Sequence, residues 1–295
     1  MHSYLRAIGF SKCKSRKQLE GIYHATLSSP NRKIITTVSI DTSMIQLEKD
    51  FSDNRKDRMG LSLIGECDLY GNVSIEHYYP YIKGDYTMEY ENITIEKQTD
   101  KESYAGVCED IRLGMTLIFY VLNTADYAKS KWFNYSNRLL TKVKFSALST
   151  NATILLGISR TKSQLRYERD IKHNHDMLLA AARNGDNEAI ENLTLDEMDT
   201  YTMIGSRIKT EDLLSIIDTS FMPCGVECDH YMIIGNILEV RPIVNTFTNE
   251  TIYNLAVETN DIYINVAINA LDLQGDPQVG RRFRGEIWLQ GVVQI

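Results

Sequence analysis

Within seven residues, Cys224-Gly225-Val226-Glu227-Cys228-Asp229-His230 places two thiols and an imidazole, a donor set that suits zinc. Cys224, Cys228 and His230 would supply three ligands. A closed tetrahedral site needs a fourth, and no second cysteine pair with metal-ligand spacing follows or precedes them. His173 and His175 could serve only by folding back, and on one helix they point roughly 200° apart. The plainer reading makes Cys224 and Cys228 small apolar fillers where the chain enters a C-terminal module, since free cysteine is among the most buried residue types. Nothing else in the chain calls for a cofactor.

A second group is Arg281-Arg282-Phe283-Arg284, the one basic spot in an acidic C-terminal region. Along a strand, Arg282 and Arg284 share one face. Together with Tyr263 and Trp288, and with Tyr253 nearby in sequence, they could form a platform for a single-stranded nucleic acid or an anionic ligand. The competing reading pairs the arginines with surplus acids and puts the aromatics in a core. For catalysis there is less. No Gly-x-Ser-x-Gly elbow, Gly-rich phosphate loop, His-Glu-x-x-His or dinucleotide fingerprint is present. Cys108 with His77 is a nucleophile–base pair on paper, but a cysteine beside an apolar strand is far more often packed than reactive.

The elements that must position these residues are mostly strands. A helix is expected from about Ser15 to Ser28, capped by Ser15 and stopped by Pro30, with residues 5–10 before it as an extended arm or strand. Strand patterns then run to about residue 158. They include a hairpin of 61–70 with 73–81 turned at Tyr70-Gly71-Asn72, and an alternating stretch 86–96 with a bulge near Glu91-Asn92. An apolar strand 113–122, a helix 126–139 and a last hairpin of 143–148 with 152–158 complete the set. This reads as an α+β domain with a mostly antiparallel sheet and helices on one side.

From Thr161 to Asn184 the composition becomes charged and helical, ending at Gly185. A capping box at Thr194-Leu195-Asp196-Glu197 and a cap at Thr210 suggest two shorter helices beyond it. The alternating runs 231–240, 251–258 and 261–268, followed by a short loop-helix and the terminal strand 280–291, match a small closed barrel of the OB type. The domain reading is therefore residues 1–160 as an α+β sheet domain, 161–218 as a helical connector and 219–295 as an OB-like β-barrel.

At 295 residues, 43% hydrophobic and 24% charged, the chain is ordinary for a globular protein with a real core. No apolar run approaches the roughly 18–20 residues of a membrane span, and the N-terminal stretch does not read as a signal peptide. Five scattered cysteines do not make a disulfide framework. These features place the protein in the cytoplasm, with no membrane partner. The formal charge of −7 is uneven: about +3 over residues 1–160 (21 Lys/Arg, 18 Asp/Glu), −5 over 161–224 (7, 12) and −5 over 225–295 (4, 9). A C-terminal module of that charge is a poor general binder of phosphate backbones.

Three stretches carry a resemblance: Met1-His2-Ser3-Tyr4-Leu5-Arg6-Ala7-Ile8-Gly9-Phe10, Ser103-Tyr104-Ala105-Gly106-Val107-Cys108-Glu109-Asp110, and Val279-Gly280-Arg281-Arg282-Phe283-Arg284-Gly285-Glu286-Ile287-Trp288-Leu289-Gln290-Gly291. With them the chain resembles, end to end, uncharacterised proteins of about this length from Clostridia-type Firmicutes, grouped as a domain of unknown function. The resemblance implies a bacterial cytoplasmic protein and brings no activity, ligand or catalytic residue. The expected role is a non-enzymatic binding or scaffolding protein whose OB-like module takes an unknown protein or small ligand. Single-stranded nucleic-acid binding through the arginine strand is the second reading, disfavoured by the acidic module. An enzyme with a site assembled from distant segments is the third.

Overall fold

The computed structural model describes residues 2–37, 43–68, 72–97, 103–132, 139–158, 171, 174, 177–182, 185–207, 209 and 212–295. The chain opens with a 3-10 helix, Ser3–Ile8, where an extended arm was expected. The His2 imidazole accepts the Tyr4 N–H, and Gly9 at φ 94° closes the turn by donating its N–H to Arg6. This short element buries Tyr4, Leu5, Ala7 and Ile8, which outweighs its extended-looking sequence. Helix α1 (Arg16–Ser28) follows, with Ser15 and Gln18 forming the reciprocal capping box. Strands β1 (Arg32–Thr37), β2 (Ser43–Asp50), β3 (Met59–Cys67) and β4 (Val73–Ile82) make an antiparallel sheet in sequence order. The expected hairpin is β3–β4; its turn at residues 69–71 lies outside the described residues.

The larger sheet begins with β5 (Thr87–Glu89), β6 (Ile93–Lys97), β7 (Tyr104–Asp110) and β8 (Met115–Val121). The break near Glu91-Asn92 is a change of partner: β5 pairs with β9 (Lys142–Ser149), β6 with β7. Helix α2 (Thr124–Trp132) precedes β9, and residues 133–138 of the expected helix lie outside the described residues. Strand β10 (Ala152–Leu155) does not fold back on β9 as the hairpin reading expected. Both run antiparallel to the C-terminal strand, so the two are successive pieces of one bent path. The Ser149 hydroxyl donates to the Glu286 carbonyl at 2.7 Å and secures the bend.

The remaining strands are β11 (Ser220–Pro223), β12 (His230–Val244), β13 (Thr251–Thr259), β14 (Ile262–Asn269), β15 (Leu273–Gln274) and β16 (Arg282–Val293), joined before β15 by a 3-10 turn, Ala270–Asp272. The first half of β12 pairs with β16 and its second half with β13, with a bulge between Ile237 and Glu239. Strand β13 pairs with β14, β14 with β9 in parallel, and β9 with β16 antiparallel. The C-terminal strands therefore share one sheet with strands from the first half of the chain. Residues 1–156 and 219–295 form one compact unit and 157–218 a second, so 219–295 is not a unit by itself. The architecture is α+β.

Two apolar clusters organise the larger unit. One gathers Phe145, Ala147, Ile233, Leu255, Ile264, Phe283, Ile287 and Leu289. The other joins Leu61, Tyr79 and Tyr81 of the four-stranded sheet to Tyr4, Ile8, Leu148, Ala267 and Trp288. Alternation along β16 decides the sorting: Phe283, Ile287 and Leu289 enter the first cluster, Trp288 the second. In the smaller unit, α3 (Asn187–Arg207) runs through Thr194 without a break. The helix starts eight residues earlier than the capping box suggested, because the Asp186 carboxylate already accepts the N–H groups of Glu188 and Ala189. Thr194 instead bonds the Ile190 carbonyl at 2.9 Å. Asp212 caps α4 (Leu213–Ile216) through the Leu214 N–H. Most of the helix expected over 161–184, with His173 and His175, and the Thr210 cap lie outside the described residues.

Candidate ligand cavity

A cleft of about 950 Å3 opens where the N-terminal 3-10 helix crosses β8, β16 and the loop entering β12. Its walls come from five stretches far apart in sequence: residues 2–4, 105 with 118–120, 150, 225–230 and 286–288. The loop is held by backbone bonds. Cys224 N–H reaches the His230 carbonyl at 3.0 Å, and Leu289 N–H reaches the Asp229 carbonyl at 2.9 Å. Gly225 at φ 75° turns the chain between them.

Asp229 is the pivot. One carboxylate oxygen accepts the Trp288 indole N–H at 2.7 Å and the other lies 3.1 Å from His230 Nδ1. Glu227 approaches the same ring nitrogen at 3.2 Å. The bond to Asp229, then the charges of Asp229, Glu227 and Glu286, lift the His230 pKa above its ordinary value against the opposing effect of burial. Trp288 stacks obliquely with His2, Tyr120 and Tyr4, at ring separations of 4.7, 5.2 and 5.5 Å. Burial raises the Tyr4 and Tyr120 phenols well above their ordinary range. Glu286, Cys224, Asp229 and Glu227 add to the effect at Tyr4, and Asp229 at Tyr120.

Of the fifteen lining residues three are carboxylates, two are histidines, and none is Lys or Arg. The Tyr4 side chain is almost wholly buried, at 6% exposure, yet its hydroxyl makes no hydrogen bond among the described residues. The Glu286 carboxylate is exposed and likewise has no hydrogen-bond or ion-pair partner among them.

Sequence-picked residues scatter by comparison. Trp288, His230 and Cys228 line the cleft, Cys228 on its exposed rim. Cys224 sits behind them, its thiol pushed up by burial and by Glu286. The donor atoms that come within 4.8 Å of one another are those of Glu227, Asp229 and His230, with neither cysteine among them. Arg282 is buried with Nε on the Leu156 carbonyl at 3.0 Å, and Arg284 is exposed. Tyr263 packs beside Tyr86 at 5.6 Å, at the start of β14 and away from Trp288. The four residues of the expected platform are not gathered in one place. Burial pushes the Cys108 thiol up to about 12, and His77 meets the Tyr120 hydroxyl at 3.4 Å.

Tyr4, Tyr120 and Glu286 went unseen in the sequence. Only Glu286 had a local signal: it shares a strand face with Trp288, two residues on. A second cleft of about 700 Å3, between α2 and β6, is lined by Ile93, Tyr127, Leu139 and Ile295.

Residues 5–291 match the model of a family described as a domain of unknown function from an E. rectale gene (DUF3881). The chain belongs to this family. The family resemblance carried by the three sequence stretches is of this kind, and the family brings no activity with it. No curated protein and no solved structure matches the chain. No helix among the described residues is long and apolar enough to cross a membrane.

Proposed function

We propose that this is an intracellular, non-enzymatic binding protein whose ligand site is the cleft around Trp288, mounted on the outer wall of an OB-like barrel. The barrel reading rests on the strand pairings, which return to their start: β12, β13, β14, β9, β16 and again β12, antiparallel except for β14 with β9. Its interior would be the cluster around Phe145, Ile264 and Ile287. In this reading β9 supplies the fifth strand, which is why the C-terminal strands cannot stand as a unit alone. Five-stranded barrels of this kind serve mainly as binding modules.

The observation that carries the functional reading is the cleft itself, an aromatic-walled concavity of ligand size with converging polar groups. A thermal-shift screen of several hundred polar fragments tests it. Hits that raise the melting temperature of the wild type, but not of Ala105→Trp, which fills the cleft, support the reading. A library that leaves the wild type unmoved overturns it.

One observation favours a second reading, an enzyme assembled from distant segments. The Asp229–His230 pair holds an imidazole in the geometry of a general base. Turnover in a broad hydrolase screen, lost in His230→Gln, would support it. Nucleic-acid binding has less behind it, since Arg282 is buried and the cleft holds no Lys or Arg.

A further inference from the structure

We propose that the ligand of this cleft is an organic cation, a protonated amine with an apolar body, gripped by the Glu286 carboxylate and the Tyr4 hydroxyl against the Trp288 wall. This inference rests on the reading of the cleft as a binding site and goes further by naming the chemistry of the occupant.

The case is built on acceptors that lack donors. The Tyr4 ring is packed between His230 and Trp288, at 5.6 and 5.5 Å, and Tyr4 lines the cleft with a hydroxyl that has no hydrogen-bond partner among the described residues. Its phenol is held in the neutral form by burial and by the surrounding carboxylates, so it can accept from an N–H donor. Glu286 offers two more acceptor oxygens. Asp229 and Glu227 are committed to His230 and Trp288, but their charges still face the cleft. The resulting field is negative, with no lining Lys or Arg to offset it. An anion entering here would face three carboxylates, and the His230 imidazole is already committed to Asp229 and Glu227. An ammonium group finds charge-assisted bonds to Glu286, a neutral acceptor in Tyr4, and aromatic rings that favour a cation. The volume, about 950 Å3, is far larger than a bare metal ion requires.

The test is calorimetric titration at low salt with three probes of one shape: benzylamine, benzyl alcohol and benzoate. Benzylamine is expected to bind saturably, with the alcohol and the acid weaker by about tenfold or more. Glu286→Gln, a change at an exposed position, should weaken benzylamine by roughly fivefold to tenfold and leave benzyl alcohol unchanged. Tyr4→Phe should weaken it by a smaller factor. Benzoate or benzyl alcohol binding as tightly as benzylamine overturns the cationic assignment while leaving the cleft a ligand site. So does benzylamine affinity that is indifferent to Glu286→Gln. Saturable binding of zinc or calcium chloride with none of benzylamine also overturns it. If none of the three probes binds, this inference falls; the fragment screen with Ala105→Trp then decides separately whether the cleft binds anything.

Discussion

Replacing Asp229 by alanine should cost about 3 kcal/mol of folding stability. The side chain is only 16% exposed and makes two bonds, to the Trp288 indole and to His230, both inside an aromatic cluster. Hydrogen bonds to a charged group contribute about 1.5 kcal/mol each at the low end, and the substitution leaves the Trp288 N–H buried without a partner. For a chain of this size, 3 kcal/mol corresponds to a melting temperature lower by roughly 6–12 °C. Asp229→Asn keeps an acceptor for the indole and loses the charge, so it should cost about half as much. The two variants also differ from wild type in pH dependence. His230 has a raised pKa in the folded state, so its contribution is complete below the unfolded value of about 6.5 and fades as pH rises through the folded value. Asp229→Asn removes the largest cause of that rise and should flatten the pH profile above 6.5. Differential scanning calorimetry at several pH values measures both effects. A melting temperature in Asp229→Ala within about 1 °C of wild type would refute the pivot role of this carboxylate.

Other expectations follow from the same geometry. Benzylamine affinity should fall several-fold as pH drops through the raised His230 pKa, because imidazolium neutralises Asp229 and Glu227 and repels a cation; titration from pH 8 to 5 checks this, and an affinity that rises on acidification contradicts it. Glu48→Gln should destabilise by about 3–5 kcal/mol in denaturant melts. The Glu48 side chain is 2% exposed and receives Lys83 at 2.6 Å and Arg32 and Arg58 at 3.4 Å; the change strands Lys83 in a half-buried position, while Arg32 keeps Asp126 and Arg58 keeps Asp50. Gly9→Ala should cost roughly 1–3 kcal/mol. Its φ is 94°, and an added Cβ would lie 2.8 Å from Asn245 Cβ. Loss of that turn should also release Tyr4 from the cleft and weaken any ligand bound there.

Local rules read much of the fold. The Ser15 cap, the alternation of β12, β13, β14 and β16, and the break near Glu91 were all legible, because each depends on neighbours within a few residues. Partnership was not. Nothing in the sequence of β9 says that it lies between β14 and β16, or that β10 follows β16 instead of β9. Those choices are made by long-range packing. The same limit applied to the site. The period of two placed Arg282, Arg284 and Trp288 on one strand face, but burial along that face varies with what crosses it: Leu156 covers Arg282, and the Tyr4–Tyr120 cluster covers Trp288. The cluster at 224–230 drew notice for its thiols, while Asp229 and Glu227 hold the imidazole. An N-terminal tyrosine that meets a C-terminal tryptophan has no signature in spacing.

The most direct measurement is the pair of tryptophan indole N–H resonances, from Trp132 and Trp288, followed by NMR during benzylamine addition. Trp288 alone bonds Asp229 and lines the cleft, so its resonance should move to saturation while that of Trp132 stays in place. A Trp288 resonance that does not respond, or that moves no more than Trp132, would contradict the placement of the ligand site.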